Sequence, residues 1–140
     1  MDTIDRKILD IMCRTGRITM KELSAMLSLS PPAAAERVRR LEQNGIITGY
    51  KAIVDRSKLG QPVTVFIALD IPASKYNEFK KYADNSPEIS EFYYVTGQHS
   101  LLIKAYVSDT EHLAKLLEKT QQFGNTETSV VMYENIKNTL

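Results

Sequence analysis

Ile4, Ile8, Ile11 and Met12 recur at helical spacing with Leu9 beside them, so residues 3–14 read as an amphipathic helix. Asp2 or Thr3 can cap its start, and Gly16 follows its end. Thr19-Met20-Lys21-Glu22 has the form of a capping box, with Leu23, Met26 and Leu27 as the apolar stripe behind it. This predicts a short second helix over 20–27, broken by Ser28-Leu29-Ser30. Ser30-Pro31 is a further start signal, because Ser caps and Pro at the first helical position loses no needed N–H. The third helix runs to about Asn44, where Gly45 stops it. Ala34, Val38 and Leu41 share one of its faces. Pro32, Ala33, Glu36, Arg39, Arg40 and Gln43 lie roughly opposite, with Arg37 at the flank.

The pattern then changes. Residues 46–54 alternate around a turn, which predicts a short hairpin or one strand with a linker. Residues 55–62 are polar with a Gly and a Pro, and mark a linker between a domain at 1–54 and a second at 63–140. Val63–Ile71 is apolar on both faces and reads as a buried strand. Ser74 is placed to cap a helix that turns Tyr76, Phe79, Tyr82 and Ala83 inward. Ile89–Thr96 reads as a strand, residues 97–100 as a turn, and Leu101–Val107 as a strand burying Leu101, Ile103, Ala105 and Val107. Ser108-Asp109-Thr110-Glu111 starts a helix with Leu113, Leu116, Leu117 and Thr120 inside, and Thr126–Glu134 is a last strand. The order βαββαβ is that of a ferredoxin-like fold, so the whole is α+β. Two helices on such a sheet leave one face uncovered, and that face calls for a partner.

Charge sharpens this division. Residues 1–60 carry eleven Lys/Arg against seven Asp/Glu, and residues 61–140 carry seven against ten. All seven arginines lie in the first 56 positions. Arginine matches phosphates and guanine edges in a way lysine does not. A basic half on an acidic half suggests a nucleic-acid module on a carrier domain. No apolar stretch approaches the ~20 residues of a membrane span, and the early acids of MDTIDRKILD argue against a secretory leader. The single Cys13 makes no internal disulfide and no zinc site, so the cytoplasm is the expected compartment.

The chemistry with the strongest pattern is helix, short break, helix over residues 19–44. In a helix-turn-helix the second helix enters the major groove of double-stranded DNA. Its tip must carry small or polar side chains, and Ser30, Pro32, Ala33 and Glu36 meet that need. Arg37, Arg39 and Arg40 are placed behind them for phosphates or guanine. The alternative is a three-helix bundle that docks a protein, with the arginines as a solvated face. Catalysis has little support. His99 and His112 are not at ligand spacing, there is no cysteine pair, and no glycine-rich phosphate loop occurs. Neither a cofactor nor a metal is expected.

The run LSLSPPAAAERVRRLEQNGIITGY (27–50) resembles the recognition region of the Lrp/AsnC transcription regulators. IDRKILDIMCRTGRIT (4–19) and VTGQHSLLIKAYV (95–107) are similar to their opening helix and to the sheet and turn of their regulatory domain. The resemblance covers nearly the whole chain. It implies a winged-helix-like DNA domain, a βαββαβ effector domain, and homodimers assembling to tetramers or octamers. It also implies sensing of a small-molecule effector such as an amino acid. Ser30, Arg37, Arg39 and Arg40 fall on the family's DNA-reading motif, completed by Leu41 and Glu42. Gly97, Gln98, His99 and Ser100 fall on its effector turn. There the chain departs from the family pattern: Ser100 stands where an Asp commonly meets a ligand's amino group, and a neutral hydroxyl makes no charge-assisted bond to an ammonium.

The expected function is therefore a sequence-selective, double-stranded DNA-binding transcription regulator acting as a homo-oligomer. The alternatives are an architectural DNA-binding protein without an effector, and a tetrapyrrole decarboxylase-like enzyme on the same scaffold.

Overall fold

The computed structural model describes residues 1–139, which divide into two compact units. One is Met1–Ile53 together with the tail from Asn135, and the other is Val54–Glu134.

The first unit holds α1 (Thr3–Arg14), α2 (Met20–Leu27) and α3 (Pro31–Gln43). All three start on side chains the sequence marks. Asp2 and Asp5 form a capping box at α1, and Thr19 and Glu22 form another at α2. Ser30 accepts the N–H of Ala33 at α3. The break between α2 and α3 is made by Ser28, a non-glycine residue in the left-handed region at φ 54°. Ile8, Leu9, Leu23, Val38 and Leu41 form the core, and Ala34 is fully buried as well.

The hairpin expected over 46–54 is absent: no strand forms there. The N–H groups of Ile46 and Ile47 both donate to the carbonyl of Leu41, so this stretch begins by closing the end of α3. Ile47 packs on the core, whereas Ile53 and Val54 stay exposed. A two-stranded ribbon with no third strand or helix to cover it has little independent stability.

The second unit holds β1 (Val63–Asp70), α4 (Tyr76–Asp84), β2 (Ile89–Tyr94), β3 (Leu101–Val107), α5 (Thr110–Thr120) and β4 (Asn125–Val130). The sheet is antiparallel throughout in the order β2-β3-β1-β4. One face carries Val65, Ile67 and Leu69 of β1 and Leu101, Ile103, Ala105 and Val107 of β3, all fully buried beneath Phe79 and Ala83 of α4 and Leu116 of α5.

Four expectations need correction here. β1 is buried on one face only; Thr64, Phe66 and Ala68 on the other are half-buried, because α4 and α5 both pack on the opposite side. Ser74 caps nothing: a short 3-10 turn, Ala73–Lys75, leads directly into α4. α5 is capped by Asp109, whose carboxylate accepts the N–H of His112, rather than by Ser108. The stretch 55–62 is structured and belongs to the second unit: Asp55 caps a 3-10 turn, Arg56–Leu59, and the Arg56 guanidinium sits 4.7 Å over the Tyr106 ring. One glycine is sterically required. A Cβ on Gly124 would lie 1.7 Å from the carbonyl oxygen of Asp70.

Candidate DNA-binding surface and effector turn

α3 is held by its buried row of Ala34, Val38 and Leu41, and this fixes what it turns outward. Ser30, Pro32, Glu36, Arg39 and Arg40 are exposed, and Ala33 is half-buried at the tip. The expected residues are thus brought to one surface, but their charges are not equivalent. Arg39 makes two hydrogen bonds to Glu36, at 2.9 and 2.7 Å, which hold the Glu36 carboxyl below its usual range. Arg40 makes no ion pair among the described residues. Arg37 turns from the exposed side toward the start of α1, 2.7 Å from Asp2 and 2.8 Å from Asp5. Behind α3, Glu42 accepts a 2.7 Å hydrogen bond from the Tyr50 hydroxyl. Burial, and then that bond, push the Tyr50 phenol up to about 12. That bond ties Tyr50 back to the last turn of α3.

The β2–β3 turn is built around Gly97, whose φ of 120° lies where side chains are strained. Gln98 is exposed at its tip. Ser100 points inward. Its Oγ accepts the N–H of Ile71 at 3.0 Å and lies 3.3 and 3.2 Å from the carbonyl oxygens of Leu69 and Ile71, the two acceptors within reach of its one hydrogen. The hydroxyl therefore ties the turn to the end of β1. The His99 ring reaches across to β4, where Nε2 lies 3.1 Å from Glu127, while Nδ1 is buried with no partner among the described residues. The sequence marked Asp2 only as a cap and Glu42 only as part of the family motif; it gave no sign of Asp5 and Asp2 pairing with Arg37, of Tyr50 pairing with Glu42, or of Glu127 meeting His99. The capping pattern Asp-x-x-Asp was visible, but nothing local links it to an arginine more than thirty residues away.

Residues 1–48 match the family model for winged helix-turn-helix DNA-binding domains. Residues 64–140 match the model for the Lrp/AsnC ligand binding domain. The chain belongs to the Lrp/AsnC family. It is 36% identical over 132 residues to the HTH-type transcriptional regulator YezC of Bacillus subtilis, covering 94% of each chain. It is 34% identical over 134 residues to LrpC of the same organism, covering 96% of this chain and 93% of LrpC. The solved structure of B. subtilis LrpC superimposes with a TM-score of 0.91 at 33% identity, over 97% of each chain. A transcriptional regulator from Neisseria meningitidis, in complex with L-Met, gives a TM-score of 0.90 at 28% identity, over 99% of this chain and 94% of that one. This Lrp/AsnC member is a transcription regulator with an N-terminal helix-turn-helix DNA-binding domain and a C-terminal ligand-binding domain. No helix among the described residues is long and apolar enough to cross a membrane.

Proposed function

We propose that this Lrp/AsnC regulator reads double-stranded DNA in the cytoplasm through the exposed side of α3. Ser30, Pro32, Ala33 and Glu36 form the groove-facing tip, and Arg39 and Arg40 flank it for phosphates or guanine. The observation that carries this reading is the helix-turn-helix itself, whose apolar row faces the core while Ser30, Pro32, Arg39 and Arg40 face out. The uncovered sheet face supplies the self-association surface. Pairing two copies there would set two recognition helices on half-sites a whole number of turns apart, and further assembly to tetramers or octamers would add avidity. A small molecule such as an amino acid, bound near Gly97, Gln98 and His99, would modulate this assembly. The N. meningitidis neighbour, which holds L-Met, supports the class of ligand.

Selection of bound duplexes from a random DNA pool, with and without L-methionine, tests the reading. Enrichment of a two-fold symmetric motif is expected. Binding without enrichment would favour the architectural alternative, which has its own support in the commitment of the Ser100 hydroxyl to backbone. On a selected duplex, Arg40→Ala should weaken binding and lower the salt slope of log K by about 0.9, the share of one phosphate. An unchanged slope removes Arg40 from the interface.

A further inference from the structure

Asp2 and Asp5 present four carboxylate oxygens at the start of α1, and every one of them accepts a hydrogen bond. Asp2 Oδ1 accepts the N–H of Asp5 at 2.8 Å, and Asp5 Oδ2 accepts the N–H of Asp2 at 2.9 Å, which closes the capping box. The two oxygens left over, Asp2 Oδ2 and Asp5 Oδ1, both accept from Nη1 of Arg37, at 2.7 and 2.8 Å. Arg37 comes from the middle of α3, so the start of one helix is fastened to the flank of another. The side chains of Arg37 and Asp5 are only 21% and 12% exposed, which shields the contact from solvent and salt.

Two features separate Arg37 from the arginines beside it. With two carboxylates on one guanidinium, the local charge of the trio is −1, which repels a phosphate rather than attracting it. In addition, the apolar face of α3 is narrow, with only Ala34, Val38 and Leu41 buried. Apolar contacts are non-directional and leave a helix free to roll by small amounts. Hydrogen bonds from a planar guanidinium are directional and oppose that roll.

We infer that Arg37 is a positioning residue of the DNA site: with Asp2 and Asp5 it locks the rotation of α3 against α1, and it does not itself contact DNA. The inference rests on the reading of α3 as the DNA-facing helix. Displacing a rigid contact surface by a fraction of an ångström misaligns every side chain on it at once.

Salt titrations of the full-length protein on a duplex selected by the wild type test this. Arg37→Met should lower affinity about tenfold at fixed salt while leaving the salt slope of log K unchanged. Asp5→Asn should also weaken binding, although removing a negative charge near DNA would by itself strengthen it. The double variant should be no weaker than the weaker single, because both break one network. Arg37→Lys should recover part of the loss. Melting curves establish that each variant is folded at the titration temperature. Asp2→Asn, at a half-exposed position, carries the same prediction if the buried changes unfold the unit. A slope reduced by about 0.9 in Arg37→Met would mean a lost phosphate contact and would overturn the inference. So would binding by folded Asp5→Asn or Asp2→Asn that equals or exceeds the wild type. Arg40→Ala in the same series keeps the two readings apart: an unchanged slope there counts against α3 as the DNA-facing helix, whatever Arg37 does.

Discussion

The two units reach a folded state with different materials. The first has a core of five apolar residues, and its three helices each begin on a side-chain cap. Directional polar contacts within and between helices therefore carry a large share of its order. The second has a core of twelve, centred on Phe79, whose ring meets Phe92, Phe123 and Tyr82 edge-on at 5.3, 5.4 and 5.9 Å between centroids. Its order is a matter of volume and sheet register. The helix proposed to face DNA thus sits on the part where charges and caps decide geometry, and the turn proposed to hold an effector hangs on a well-filled sheet. A small unit is the more easily re-aimed, while a large core is the more easily broken by removing one ring.

Breaking the larger core should have the largest effect. Phe79→Ala should cost about 3–5 kcal/mol. Tyrosine fluorescence during urea unfolding follows the affected unit, since six of the seven tyrosines lie within it. A comparable loss in the DNA-binding unit would erase the contrast. In the smaller core, Leu23→Ala should cost about 2–5 kcal/mol and remove DNA binding before it alters that fluorescence. Next comes the cap. Thr19→Ala removes the acceptor for the Glu22 N–H and should cost about 1 kcal/mol, visible as a lower melting temperature in far-ultraviolet dichroism.

Acid should have the smallest effect of all, and it should act on the first unit. The N–H of Asp5 first, and then Arg37, hold the Asp2 carboxyl at about 2 against an ordinary 3.8. A folded value below the unfolded one means that the contribution is complete above pH 3.8 and fades as the pH falls toward 2. The first unit should loosen in that window, and Asp2→Asn should flatten the dependence. If helix content in the first unit shows no difference between the two proteins there, the network contributes nothing to its order.

How much of this was legible beforehand follows from range. Thr19 with Glu22, and Ser30 with Pro31, interact within three residues, and the helices they start have the expected bounds. The inward row Leu101, Ile103, Ala105 and Val107 needed only the two-residue period of a strand. The failures lie elsewhere. Residues 46–54 alternate like a hairpin, yet their first N–H groups are consumed by Leu41. Ser74 and Ser108 are chemically competent caps one position from where the chain turns, and cap geometry tolerates no such shift.

The functional residues divide in the same way. Local pattern was enough for the helix-turn-helix, the outward row of Ser30, Pro32, Glu36, Arg39 and Arg40, the βαββαβ order and the glycine of the β2–β3 turn, because each depends on neighbours a few residues away or on a simple period. That Arg37 faces two aspartates rather than solvent, that the Ser100 hydroxyl turns into the backbone of β1, and that His99 lies against Glu127 emerges with the folded chain. Those outcomes depend on which groups folding brings within about 3 Å, where a hydrogen bond exists or does not. A side chain's type leaves that choice open until the distant partner arrives.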